Sequence, residues 1–308
     1  MQLGEFGGRE LAATTWGMAH TGCWQNAIML HAAGRILEAP RELRAREIAS
    51  IVYSFTKIKF ARMRDTGVFA AAVDELTSSA RLATLNPQDI TMVAWAVARA
   101  QAEVAADRIE ALAARALETL SEFRAGEVAV SAYAFGRLGR AADCAELLRA
   151  LAARALESHV DMSSRELSLV LWGLAHSLVR ADAACLDAFE EQFRVRLRSL
   201  QPHTMSNVIK AFAKLSHAPA ESFLAAAAAE AARRMHRFQM AEVANLLWGF
   251  AQLRHRDDAL CAAAEEHVME SLDVCTQHHV TSVVGSLRAL GYRPEALITG
   301  ARACDFQA

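Results

Sequence analysis

An all-α fold is what this sequence predicts: an α-solenoid, wound as a right-handed superhelix, of about eight helix-turn-helix repeats of ~38 residues. Three observations predict it. One short pattern recurs: Glu242 to Leu253 (EVANLLWGFAQL), Glu166 to His176 (ELSLVLWGLAH) and Glu10 to His20 (ELAATTWGMAH) each place an aromatic residue five positions after an aliphatic one, with small residues around it. With weaker copies included, the landmark falls at 16, 53, 95, 133, 172, 210, 248 and 285, at intervals of 37, 42, 38, 39, 38, 38 and 37. Within each copy, apolar residues recur at i, i+4 and i+7 (Val243, Leu247, Phe250), the period of an amphipathic helix. Composition agrees, since 53% of the 308 residues are hydrophobic, many of them alanine, and only five are proline.

The repeats follow in order as 6–42, 43–84, 85–122, 123–161, 162–199, 200–237, 238–274 and 275–308, one array over 1–308. Each reads as helix A, which carries the landmark, then a turn and helix B. Repeat one is placed by Trp16 and repeat two by Tyr53. The interval of 42 implies about four extra residues within 58–66, where Lys59, Arg62 and Arg64 follow Lys57. In repeat three, Pro87 opens helix A ahead of Trp95, and helix B spans 107–120. Repeat four has Tyr133 and a turn at Gly139-Arg140; repeat five has Trp172 and helix B at 182–200. Pro202 opens repeat six, whose landmark slot holds Lys210, and Pro219 opens its helix B. Repeat seven is placed by Trp248, with helix B at 258–272; repeat eight has Gly285 in the slot and Pro294 before helix B. Glu10, Glu47, Asp89, Glu127, Glu166 and Glu242 precede the first aliphatic residue, where an acid favours the positive end of the helix dipole. Neither end of the array has a polar cap, so the chain reads as a piece of a longer protein.

Three columns on helix A bear on function. The aromatic slot (Trp16, Tyr53, Trp95, Tyr133, Trp172, Trp248) reads chiefly as a wedge between hairpins, with small neighbours letting helices approach; stacking platforms for bases are the alternative. Four residues later stand His20, Lys57, Arg99, Arg137, His176, Lys214 and Gln252. That spacing keeps them on the same face. Such a ladder would contact phosphates at regular intervals, although cations near helix C-termini also suit the dipole. Three residues before the aromatic lies a variable column, in which Ser50, Asn207, Asn245 and Ser282 would reach bases or sugars, as in a modular reader.

The sequence excludes several classes. A net charge of −2 argues against a non-specific basic coat for nucleic acid. No apolar run reaches the ~18 residues of a membrane span. Six scattered cysteines (23, 144, 185, 261, 275, 304) show neither disulfide nor zinc spacing and read as free thiols. There is no phosphate loop, HExxH or GxSxG, and the His278-His279 pair lacks a spaced partner ligand. No catalytic residue, metal, cofactor or small-molecule substrate is expected.

The period and the Trp-Gly-Phe-Ala-x-Leu core at Trp248 to Leu253, with its variant at Lys210 to Leu215, resemble the heptatricopeptide and octotricopeptide repeat proteins of organelles across the whole chain. Those families often end in a RAP domain, and none is visible here. The resemblance implies an RNA-binding solenoid, and helix A is expected to line its concave side. Its RNA would be ribosomal RNA or an organellar transcript, and its partners ribosomal or other organellar proteins. The mitochondrion is the expected compartment, with the chloroplast as alternative. The rival expectation is a protein-binding scaffold that never touches RNA.

Overall fold

The computed structural model describes residues 6–23, 25–57, 66–139 and 144–303, and among these every regular element is helical. The basic segment expected within 58–66 lies outside the described residues except for Thr66, as does Arg140. The chain divides into two compact units, Met1–Glu157 and Ser158–Ala308. Neighbouring helices pack as in a helical-repeat solenoid.

In the first unit, the A-type helices are α1 (Gly8–Thr21), α3 (Ala45–Lys57), α6 (Pro87–Ala100) and α8 (Ala125–Leu138). The B-type helices are α2 (Asn26–Glu38), α4 (Val68–Leu76), α7 (Ala106–Glu118) and α9 (Ala145–Glu157), with the single turn α5 (Ser79–Leu82) after α4. In the second unit, α10 (Ser164–Ser177), α12 (Pro202–Lys214), α14 (Met240–Gln252) and α16 (Gln277–Ala289) are A-type. They alternate with α11 (Ala183–Val195), α13 (Glu221–Arg233), α15 (Asp258–Glu270) and α17 (Glu295–Ala303). Within each unit, successive A helices pack side by side.

The termini explain why the helices start and stop where they do. The acidic column does more than meet a dipole. Glu47, Glu127, Glu166 and Glu242 each reach back to accept the backbone N–H three residues earlier, on Arg44, Arg124, Ser163 and Gln239, at 2.8–2.9 Å. At the other end, α1, α6, α10, α12, α14 and α16 are followed by a residue at positive φ: Gly22, Gln101, Leu178, Ser216, Arg254 and Gly291. In five of the six, the next N–H bonds to the carbonyl five residues back, as in His217 to Phe212 and His255 to Phe250. This is the six-to-one closure of a Schellman turn, which satisfies a terminal carbonyl and turns the chain into helix B.

The core lies between the A and B rows. The aliphatic position of the pattern is fully buried at Leu11, Ile48, Ile90, Val128, Leu167, Met205, Val243 and Val280, and so are Phe55, Phe135, Phe212 and Phe250 two residues after the landmark. Each such side chain contributes about 1.5–3 kcal/mol of transfer free energy. At Gly249 the missing Cβ lets α14 approach α12 closely: one built there would stand 2.8–3.0 Å from Ile209 and the Lys210 nitrogen.

Candidate nucleic-acid interface

In the second unit, α10, α12 and α14 border a cleft of about 260 Å³. α12 supplies Asn207, Lys210 and Lys214, at i, i+3 and i+7, so one helical face presents all three. Trp172 and His176 come from α10 and Asn245 from α14, while Ala175 and Ala211 keep the floor low. The rings of Trp172 and His176 are 4.4 Å apart and nearly parallel, at 10°.

Lys210 sits at the centre. Its Nζ donates to Asn245 Oδ1 at 2.5 Å and stands 5.7 Å from the Trp248 ring centroid, within cation–π range. An ammonium has only donors, so it fixes the amide: the oxygen faces Lys210 and the NH₂ is left for another partner. Burial pushes the Lys210 ammonium below its ordinary pKa, and the Lys214 charge adds to the effect. Among the described residues, no carboxylate lines the cleft. It offers two ammonium groups, amide N–H donors and an imidazole edge, an arrangement suited to phosphate oxygens and carbonyl edges of bases.

The structure therefore brings together four residues from the two functional columns: His176, Lys214, Asn207 and Asn245. Gln252 is exposed at the end of α14 and Ser282 half-buried on α16, and neither lines the cleft. In the first unit, two ladder residues lie on their own aromatic neighbour. The His20 ring is 4.2 Å from Trp16, with Nδ1 2.9 Å from the Trp16 carbonyl oxygen, and Lys57 Nζ is 5.3 Å from the Tyr53 centroid. Arg99 is exposed and Arg137 half-buried; Ser50 lines a separate cleft in that unit. Trp16 stacks on Tyr53 at 5.6 Å, and Trp95 lies 5.3 Å from Tyr133. Much of the ring surface in this column is thus spent on neighbouring repeats.

Two things escaped the sequence. Lys210 occupies an aromatic slot and read as a weak copy, although a lone cation in a ring position was the signal. The arginines near the ends of helix B were also missed as a class. Arg81 donates to the Leu43 and Arg41 carbonyls, Arg115 to Leu85 and Ala83, Arg196 to Met162 and Val160, and Arg234 to Leu200 and Arg198. Each clamps the turn that precedes its own repeat. Those guanidiniums are structural, which removes them from any count of cations available to a ligand.

Among the described residues, Asp187, Glu190 and His217 are the group whose potential ligand atoms lie within 4.8 Å of one another. Both Glu190 oxygens are already engaged, Oε1 by the Ala220 N–H at 2.9 Å and Oε2 by His217 Nε2 at 3.2 Å. The trio ties α11 to the turn before α13. Among the described residues, no helix is long and apolar enough to cross a membrane.

Compared with known families, the chain matches the model described as RNA-editing substrate-binding complex 6 protein over residues 1–229, about three quarters of its length. No curated protein matches it.

Proposed function

We propose a function from the premise that this chain belongs to the RNA-editing substrate-binding complex 6 protein family: it is a helical-repeat subunit that holds single-stranded RNA within a mitochondrial RNA-editing assembly. The resemblance to heptatricopeptide and octotricopeptide proteins holds for the helical-repeat architecture, while the family is a different one. The family's description speaks of RNA-editing substrates, so that class of RNA replaces the expected ribosomal RNA, and subunits of the same assembly replace the expected ribosomal partners.

One observation carries the reading to the residue level: the carboxylate-free cleft in which Lys210, Lys214, His176, Asn207 and Asn245 converge. Lys214 and His176 lie at its exposed rim and suit phosphates. Asn207 and the amide N–H groups of Asn245 suit base edges or ribose. The remaining ladder residues, His20, Lys57, Arg99, Arg137 and Gln252, extend phosphate contacts along helix A of each unit, and Ser50 and Ser282 are further base or sugar contacts.

The test is ultraviolet crosslinking of the protein in its native assembly, with mass-spectrometric mapping of the RNA-bearing peptides. Crosslinks within 172–176, 207–214 and 245–252 are the expected result. RNA-free recovery, with crosslinks to protein subunits alone, would replace this reading with the scaffold.

A further inference from the structure

A second cleft, of about 600 Å³, lies in the first unit where the starts of α1, α3 and α6 come together. Arg9, near the start of α1, and Arg44 and Arg46, on either side of the first residue of α3, line it. All three side chains are exposed. Among the described residues none makes an ion pair or side-chain hydrogen bond, in contrast to the clamping arginines of helix B. The acids nearby compensate weakly. Glu47, which lines the cleft, spends one carboxylate oxygen on the Arg44 backbone N–H at 2.8 Å. Asp89 is 3% exposed, and burial raises its carboxyl pKa against the opposing pull of the Asn86 backbone and Arg46. The apolar wall contains Met92 and Trp16, whose indole is 37% exposed beyond its contacts with Tyr53 and His20.

We propose that this cleft binds a phosphate-terminated nucleotide, its phosphomonoester held by Arg9, Arg44 and Arg46 and its base against Trp16. Three guanidiniums against the one lining carboxylate, Glu47, leave a net charge of three minus one, or two, which exceeds what an internal phosphodiester uses, with one charge and two free oxygens. A phosphomonoester brings about −1.5 to −2 charges and three acceptor oxygens, which planar guanidiniums engage in pairs. The part of the Trp16 indole left uncovered by Tyr53 and His20 supplies apolar surface against which a base can lie. The cleft does not depend on the site proposed in the second unit.

The chemistry is shared by an RNA strand end and a free nucleotide, and one experiment separates them. A 3′-labelled unstructured RNA decamer, bearing either a 5′-phosphate or a 5′-hydroxyl, is titrated with the full chain, and bound strand is competed with AMP. The phosphorylated strand should bind about tenfold more tightly, as expected for charge-assisted bidentate contacts. Arg44→Ala with Arg46→Ala should abolish that preference, and Trp16→Ala should weaken binding of the phosphorylated strand. All three residues are exposed, and circular dichroism checks that the variants fold. Release by AMP assigns the site to free nucleotides, whereas a preference that AMP leaves intact assigns it to strand ends. Equal affinity for the two strands, with no competition by AMP, overturns the proposal. Lys214→Glu, in the other cleft, should lower both affinities and leave their ratio unchanged, so failure of either site is recognisable.

Discussion

Lys210 Nζ of α12 bonds Asn245 Oδ1 of α14, so a single contact joins two adjacent repeats and orients the one amide that the cleft presents from α14. Asn245 without this partner is free to flip, and Lys210 without Asn245 loses an acceptor in a half-buried place. The two side chains should therefore act on RNA as a unit. Lys210→Ala is expected to weaken single-stranded RNA binding about five- to tenfold. In a double-mutant cycle with Asn245→Ala, the coupling should fall in the range of about 0.5–3 kcal/mol. Additive effects in fluorescence anisotropy titrations would separate the two residues.

The depressed Lys210 pKa gives a pH signature. Burial, then the Lys214 charge, lowers it from 10.5. A phosphate nearby favours the ammonium and raises the pKa again, so binding takes up protons between the free and bound values. Affinity should fall as pH rises through the RNA-free pKa of Lys210, and Lys210→Arg should flatten that part of the profile. The linkage to stability runs the other way. The folded chain sheds this proton before the unfolded chain does, so the cost of burying the charge is lifted as pH rises toward 10.5. Chemical denaturation across the alkaline range, with Lys210→Met as reference, reads the difference.

Close helix packing makes a prediction at Gly249. Its missing Cβ leaves room for the Ile209 and Lys210 backbone, whereas a Cβ on Gly17 would meet nothing within 4 Å. Gly249→Val should destabilise the second unit by about 1–3 kcal/mol through overpacking. Gly17→Ala, in a helix with open space at that point, should be neutral or slightly stabilising. Thermal melts of the two variants give the comparison.

Arg234 is 6% exposed, donates to the Leu200 and Arg198 carbonyls, and pairs with Glu230 at 2.9 Å. Truncation leaves two turn carbonyls and a nearly buried carboxylate with fewer partners. Arg234→Ala should cost about 2–4 kcal/mol by urea denaturation and disturb the turn before α12. Arg99→Ala, on an exposed face, should cost less than about 0.5 kcal/mol.

The fold was legible because its determinants are local and repeated. The i, i+4, i+7 apolar stripe and the prolines at 87 and 202 act within a single helix, and the landmark period repeats that helix about every 38 residues, so each copy reinforces the next. The acids before the first aliphatic residue were placed for a related reason, although their backbone acceptor role goes beyond dipole compensation. The site was legible only in part. Shared helical faces brought Asn207 and Lys214 together on α12, but which residues of α10 and α14 join them depends on how helices cross, which spacing does not encode. Lys210 shares the α12 face, but its partners Asn245 and Trp248 come from α14, and His20 and Lys57 rest on their own aromatic rings. The arginine clamps were invisible because their acceptors are backbone carbonyls some 30 or more residues away.

The most direct test of the account is the salt dependence of RNA affinity for the wild-type chain and Lys214→Glu. Lys214 is exposed at the rim of the cleft, so the substitution leaves packing intact. The account predicts weaker binding at low salt and a shallower plot of log affinity against log salt, by about 0.7 for one lost phosphate contact on a single strand. Identical affinities and slopes would contradict it, leaving the cleft without a role in holding RNA.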